Sequence, residues 1–192
     1  MWVVSKAKNA VGRLNYPSRV LDGAVTPAST TFDVLQDAGN VFVDDNGAST
    51  LNPVSAANMR LGGDKQLPGA ADVSFGAQVI SVTDPAKGKV WALSPSTVNA
   101  FDGESSKPAL VGAEGLVSAV GSDDRIYSAD PVTVTAVDAN GEVTESKSET
   151  WGGLKGAGDP DTVLERHLCP QREVVQDERR PPPRLVREVD DR

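Results

Sequence analysis

The chain has few of the side chains that catalytic and metal centres commonly use. Its 192 residues include one cysteine, Cys169, and one histidine, His167, and aromatic residues make up only 5%. A single cysteine excludes an intramolecular disulfide, and a His-x-Cys pair is far short of a four-ligand zinc site. Without a histidine before residue 167, that part cannot hold a Ser-His-Asp triad. We expect no catalytic, cofactor-binding or metal-binding residues, no cofactor and no enzymatic activity.

Long apolar runs and excess positive charge are also missing. No stretch approaches the roughly 18 apolar residues that can span a bilayer, and Met1–Lys6 lacks the order of charges and apolar residues of a signal peptide. The formal net charge is −8, from 19 Lys and Arg against 27 Asp and Glu. Phosphate binding needs a concentrated basic surface. The sequence therefore predicts no nucleic-acid partner and no membrane insertion by this chain.

Short alternating segments separated by turn residues indicate β-structure. Two stretches have similar patterns, Lys89–Asp102 and Arg125–Asp138, and they begin 36 residues apart, at positions 89 and 125. Each contains a cation, an apolar-aromatic pair, a proline turn and a second alternating run. Repeated short strands are typical of propeller blades, although a β-sandwich also consists of such strands.

We predict an all-β fold, an incomplete β-propeller-like array of about three four-stranded blades. Residues 115–150 contain four strands and three tight turns, residues 73–113 a similar unit, and residues 20–58 a poorer one. Residues 97–101 are predicted to be a strand and 59–71 a loop. Fewer than four blades cannot close a ring, so self-association through open blade edges is expected.

The composition changes after residue 162, which divides the chain into a propeller-like domain fragment (1–162) and a tail (163–192). The tail is rich in arginine, proline and acidic residues, and mixed charge with few apolar side chains predicts disorder. Two explanations stay open. The tail is either a natural disordered segment, with a polyproline II ligand in its triple proline, or the product of a shifted reading frame.

Three aromatic residues, Trp91, Tyr127 and Trp151, recur near strand positions that pack between blades. They serve either as packing residues or as a surface that stacks on a sugar or peptide. Asp45, Gly47 and Thr50 fall near the spacing of the Asp-box hairpin of sialidase-like propellers, without its closing aromatic. A plain hairpin turn is the preferred explanation of these residues.

Two resemblances to known families add to this prediction. The stretches 90–97 and 126–131 resemble the strand-turn-strand repeat of quinoprotein-like β-propellers. Residues 11–15 through 31–36, within a region from 2 to about 162, resemble the N-terminal propeller-like region of large actinobacterial fibronectin type III repeat proteins. In that family the region follows a membrane segment and precedes immunoglobulin-like or fibronectin modules. This second resemblance implies an extracytoplasmic or membrane-associated parent protein.

The function expected from these features is non-catalytic binding or scaffolding in a cell-surface-associated protein, with a protein or glycan as the partner. Two alternatives remain. One is a degenerate quinoprotein-like or glycan-processing propeller enzyme, which needs convergent polar groups in a central channel. The other is an intracellular protein-interaction module.

Overall fold

The computed structural model describes residues 1–37, 39–76 and 78–148, which form four antiparallel sheets. The N-terminal sheet contains β1 (Trp2–Ser5), β2 (Ala10–Asn15) and β3 (Val20–Val25). The first blade contains β4 (Asp33–Asp37), β5 (Asn40–Asp45), β6 (Thr50–Ser55), β7 (Arg60–Leu61) and β8 (Lys65–Gln66). The second blade contains β9 (Asp72–Gly76), β10 (Val79–Asp84), β11 (Lys89–Leu93) and β12 (Leu110–Val111). The third blade contains β13 (Val117–Val120), β14 (Ile126–Ala129), β15 (Thr133–Val137) and β16 (Val143–Ser148).

The three blades confirm the predicted propeller-like array. In each blade the strands pair in chain order, and in the first blade β7 and β8 share the fourth position because they pair with opposite halves of β6. The first strands, β4, β9 and β13, are neighbours, as the inner strands of a propeller are. The predicted tail, its boundary at residue 162, His167 and Cys169 lie outside the described residues.

The inner strands of the three blades run in the same direction. Just beyond their ends, Asn40 Nδ2 donates to Gln78 Oε1 at 3.2 Å, which joins the first two blades. Near the start of β13, the Ser118 hydroxyl hydrogen-bonds the hydroxyls of Ser81, at 2.7 Å, and Thr83. The starts of neighbouring inner strands therefore lie side by side, and so do their ends, which is the arrangement of consecutive propeller blades.

The N-terminal sheet packs on the first blade through β1, which runs opposite to β4. The backbone N–H of Trp2, at the start of β1, donates to Gln36 Oε1 at 2.8 Å, near the end of β4. The Nζ of Lys6, just after β1, lies 4.3 Å from the centroid of the Phe32 ring, just before β4. Strands β1 and β4 are thus antiparallel, as are β10 and β13, the second strand of one blade and the first strand of the next. Strands β1, β2 and β3 begin at residues 2, 10 and 20, and β5, β6 and β7 at 40, 50 and 60. The N-terminal sheet therefore corresponds to the second, third and fourth strands of a blade, and no described strand occupies its inner position.

Apolar clusters fill all three interfaces between neighbouring sheets. The largest lies between the first and second blades, where Phe42 meets Phe75 edge to face at 5.3 Å and Trp91 meets Phe101 at 5.8 Å. Its buried members are Phe42, Leu51, Leu67, Ala71, Ile80, Val82, Trp91, Val98 and Phe101. Successive side chains of a strand point to opposite faces of its sheet, so each blade presents one group of apolar side chains to each neighbouring sheet. Burial of these side chains is the main stabilising contribution.

The repeat in the structure differs from the one expected from the sequence. The Lys89–Leu93 segment is a third strand, whereas Ile126–Ala129 is a second strand, so the interval of 36 does not relate equivalent positions. Between the first and second blades the interval is 39, because their first three strands begin at 33 and 72, 40 and 79, and 50 and 89. The patterns match because second and third strands both alternate and both follow tight turns.

Three further expectations from the sequence are wrong in detail. The predicted strand at residues 97–101 is a turn followed by the 3-10 helix Val98–Ala100, because Ser94 and Thr97 exchange side-chain and backbone hydrogen bonds. The predicted unit at 20–58 is divided, since β3 pairs with β2 and the first blade begins at β4. The predicted loop at 59–71 contains the two short strands β7 and β8.

The glycine at position 88 provides a test of this packing. Gly88 lies between β10 and β11 with φ +60°, and a Cβ there would lie 2.5 Å from the carbonyl oxygens of Gly112 and Ala113. Gly39, with φ +89°, has no such neighbour within 4 Å. We expect Gly88→Ala to lower the free energy of unfolding by about 3 kcal/mol and Gly39→Ala by about 1 kcal/mol in urea denaturation. Equal losses would contradict the close approach at Gly88.

Candidate binding groove

A groove lies between the first and second blades, where three connecting segments meet. Its volume is about 490 Å³. One wall is the segment 66–69, which joins the two blades, and another is the loop 102–104, which follows the 3-10 helix. The lining residues are Gln66, Leu67, Pro68, Gly69, Lys87, Lys89, Asp102, Gly103 and Glu104.

Hydrogen bonds hold both walls of the groove. The Leu67 N–H donates to the Ser49 carbonyl at 2.8 Å, which fixes the connecting segment to the β5–β6 turn. The Asp102 carboxylate accepts from the Glu104 N–H at 2.9 Å and from the Ser105 hydroxyl at 2.8 Å. These bonds hold the pKa of Asp102 below its usual range, and the bond from the Glu104 backbone has the largest effect. The groove is therefore largely preformed.

Trp91 lies beneath the loop that forms this wall. Only 2% of the residue is exposed, and its indole Nε1 donates to the Ser106 carbonyl at 3.0 Å. The ring packs in the apolar cluster between the first two blades. In this position Trp91 contacts the core and supports the loop rather than presenting a face to a ligand.

The charged side chains of the groove differ in their availability. Lys87 is paired with Asp84, with 3.8 Å between Nζ and Oδ2. The side chains of Lys89 and Glu104 form no ion pair or hydrogen bond among the described residues. Together with the apolar Leu67 and Pro68, they offer one ammonium group, one carboxylate and a small apolar surface. Such a lining suits a ligand of mixed polarity, such as a polypeptide segment.

The other aromatic candidates lie apart from the groove. Tyr127 is on the third blade, on the face away from the second blade, and its hydroxyl donates to Asp123 Oδ2 at 2.8 Å. This hydrogen bond raises the pKa of Tyr127. Trp151 lies outside the described residues. The structure therefore does not bring the three aromatic side chains together at the groove.

The Asp45 hairpin links two turns of the first blade. The Asp45 side chain, in a residue only 1% exposed, accepts from the Ala48 N–H at 3.1 Å and from the N–H and hydroxyl of Ser29. Burial acts to raise the pKa of Asp45, but these hydrogen bonds outweigh it and lower the pKa. Asp45 fastens the segment before β4 to the β5–β6 turn.

The buried carboxyl group of Asp44 was not predicted from the sequence. This residue is 6% exposed, and its Oδ1 has no hydrogen-bond partner in the described part of the chain. Burial first, and then the carboxylates of Asp33, Asp72 and Asp45, raise the pKa of Asp44 to about 7. Asp33 begins β4 and Asp72 begins β9, so the cluster follows from the parallel inner strands. Their shared interval of 39 residues was the signal in the sequence.

Across residues 1–37, 39–76 and 78–148, no group of three or more His, Cys, Asp or Glu side chains is arranged to hold a metal ion. The same part of the chain contains no helix that is long and apolar enough to cross a membrane.

Comparison with known proteins supports the fold alone. No family model and no curated protein matches the chain. Among solved structures, it is similar to virginiamycin B lyase from Staphylococcus aureus, with a TM-score of 0.53 and 12% identity over 77% of this chain and 51% of that one. It is also similar to Hsv2 from Kluyveromyces lactis, with a TM-score of 0.59 and 11% identity over 77% and 47%. The chain spans about half the length of these propeller-type structures.

The titration of Asp44 should make stability depend on pH. Between about pH 4 and pH 7 the unfolded chain loses the proton of Asp44 while the folded chain keeps it, because the pKa rises from 3.8 to about 7 on folding. The free energy of unfolding should therefore fall by roughly 2–4 kcal/mol over this window. Asp44→Asn should remove most of this fall, as measured by urea denaturation at several pH values.

Asp37→Asn, at the other end of β4 from Asp33, provides the control and should keep the pH dependence of the unsubstituted chain. If Asp44→Asn and Asp37→Asn have the same pH profile, the Asp44 carboxyl does not carry its proton into the neutral range.

Proposed function

We propose that this chain is a non-catalytic binding module that holds a polypeptide segment in the groove between its first two blades. A binding or scaffold role is compatible with the propeller-like fold, which presents loops around a rigid set of sheets. The observation that carries the proposal is the pair of available charges, Lys89 and Glu104, in a groove whose walls are fixed by hydrogen bonds. Preformed walls lower the conformational cost of binding.

The location of Lys89 supports a polar rather than a purely apolar ligand. Lys89 is the first residue of β11 and is partly exposed, so its stem lies on the blade while its ammonium group reaches the groove. Glu104 lies in the exposed loop 102–106, which closes on itself through the Ser106 N–H and the Asp102 carbonyl at 2.8 Å. A peptide backbone with side chains of both signs matches this lining.

The parent protein is proposed to be associated with the cell surface. This part rests on the resemblance of residues 11–15 and 31–36 to the actinobacterial repeat proteins. Treatment of intact cells of the source organism with protease should remove the protein, while a cytosolic enzyme measured in the same cells stays intact. Protection of the protein until the cells are lysed would contradict a surface location.

Binding to the groove can be tested with peptides selected on the full chain. A phage-displayed library of random peptides should yield enriched sequences, whose synthetic versions are measured by isothermal titration calorimetry. Lys89→Glu should weaken binding of the selected peptides by about fivefold or more, since about 1 kcal/mol is typical of an accessible ion pair.

The matched control is Lys107→Glu, which makes the same charge change at an exposed residue outside the groove. It should leave the affinity within about twofold, because separated surface charges are screened by salt. The proposal fails if no peptide is enriched, or if the two variants bind the selected peptides equally well.

A further inference from the structure

The N-terminal sheet ends in an exposed strand. Strand β3 pairs with β2 on one side, and no described strand pairs with its other side. Val20 and Leu21 are 54% and 59% exposed. An edge strand presents a row of backbone donors and acceptors that can pair with another extended segment.

Exposed apolar residues are concentrated at this end of the N-terminal sheet. Leu14 lies opposite Leu21 in the β2–β3 pair, and the Met1 amino group donates to the Leu14 carbonyl at 3.4 Å. Met1 is 65% exposed and Tyr16, in the β2–β3 turn, 78%. We name these residues, with Val20, the β3-edge patch. Four of the seven large hydrophobic residues exposed in the described chain belong to it.

The strands at the outer ends of the three blades differ from β3. Strands β7, β8 and β12 have two residues each, and β16 contains Glu145 and Lys147. At the other edge of the N-terminal sheet, the Gln36 side chain bonds the N–H and carbonyl of Trp2 in β1. Short length and charged side chains are the devices that limit pairing at sheet edges. In the six residues of β3 the one charge, Asp22, is neutralised within the sheet by Arg13, with 2.7 Å between Nε and Oδ1. Strand β3 thus lacks both devices.

The charge around β3 is opposite to that of the blades. Residues 1–25 contain four cations, Lys6, Lys8, Arg13 and Arg19, against Asp22, a balance of +3. Residues 26–148 contain seven cations and sixteen acids, a balance of −9. Arg19 directly precedes β3. Lys8 lies near its other end, because the neighbouring Asn9 donates to the Pro27 carbonyl at 3.3 Å. The edge is therefore flanked by exposed cations at both ends.

We propose that the β3 edge binds an extended acidic polypeptide segment, which adds to the N-terminal sheet as a fourth strand. The backbone of the segment pairs with β3, its apolar side chains contact the β3-edge patch, and its carboxylates meet Arg19 and Lys8. This surface is separate from the groove between the first two blades, and the inference does not depend on the function proposed for that groove.

The probe is a six-residue peptide of alternating valine and glutamate, matching β3 in length. The same peptide with lysine in place of glutamate is its control. Fluorescence anisotropy on the full chain should show binding of the glutamate peptide at least about tenfold tighter than the lysine peptide, and weaker binding as salt increases. Amide hydrogen exchange in residues 20–25 should slow when the glutamate peptide binds, which a contact with side chains alone would not produce.

Two variants separate the contributions of charge and apolar contact. Arg19→Asn should weaken the glutamate peptide about two- to fivefold, and asparagine tolerates the φ of +56° at this position. Leu21→Thr keeps a strand-forming residue and should also weaken binding. Lys107→Asn removes an exposed cation from the second blade and, like Lys89→Glu in the groove, should leave the affinity within about twofold.

Three results would overturn the proposal. The first is equal binding of the glutamate and lysine peptides, and the second is unchanged exchange in residues 20–25 at saturating peptide. The third is a dimer in light scattering that forms without peptide and that Leu21→Thr dissociates, because the occupant of the edge would then be a second copy of the chain.

Discussion

The fold depends on the requirement that each blade bury both of its faces. A four-stranded sheet exposes apolar side chains on two sides, so a single blade has no stable surface in water. The interface between the first and second blades meets this requirement with the aromatic pairs Phe42–Phe75 and Trp91–Phe101. The groove follows from this packing, because the segments that connect the packed blades form its walls.

The same interface contains one carboxyl group that lowers stability. Asp44 is buried between the first two blades with an oxygen that has no partner, and neighbouring carboxylates hinder its ionisation. Trp91, in contrast, satisfies its only polar atom by a bond to the loop above it. Packing of the blades thus fixes one wall of the groove through Trp91. The same packing buries Asp44 of β5, whose carboxylate is unfavourable above neutral pH.

The sequence was sufficient to predict the class of fold but not the order of equivalent strands. Alternation and turn residues, such as those at Asp138–Gly141, identify hairpins because they are local properties. Whether a strand is second or third in its blade depends on pairing with distant residues, so Lys89–Leu93 and Ile126–Ala129 could be mistaken for equivalents. Asp44 was missed for the same reason, since its neighbours Asp33 and Asp72 come together only when β4 and β9 lie side by side.

The N-terminal sheet leaves one position of the array unfilled. Its strands β1, β2 and β3 match the second, third and fourth strands of a blade, so the inner edge of β1 has no described strand beside it. The side chain of Gln36 occupies this edge, because it accepts from the N–H of Trp2 and donates to the Trp2 carbonyl. One glutamine amide thus replaces two bonds of a missing ladder, and a strand that completed the sheet would have to exchange both of them.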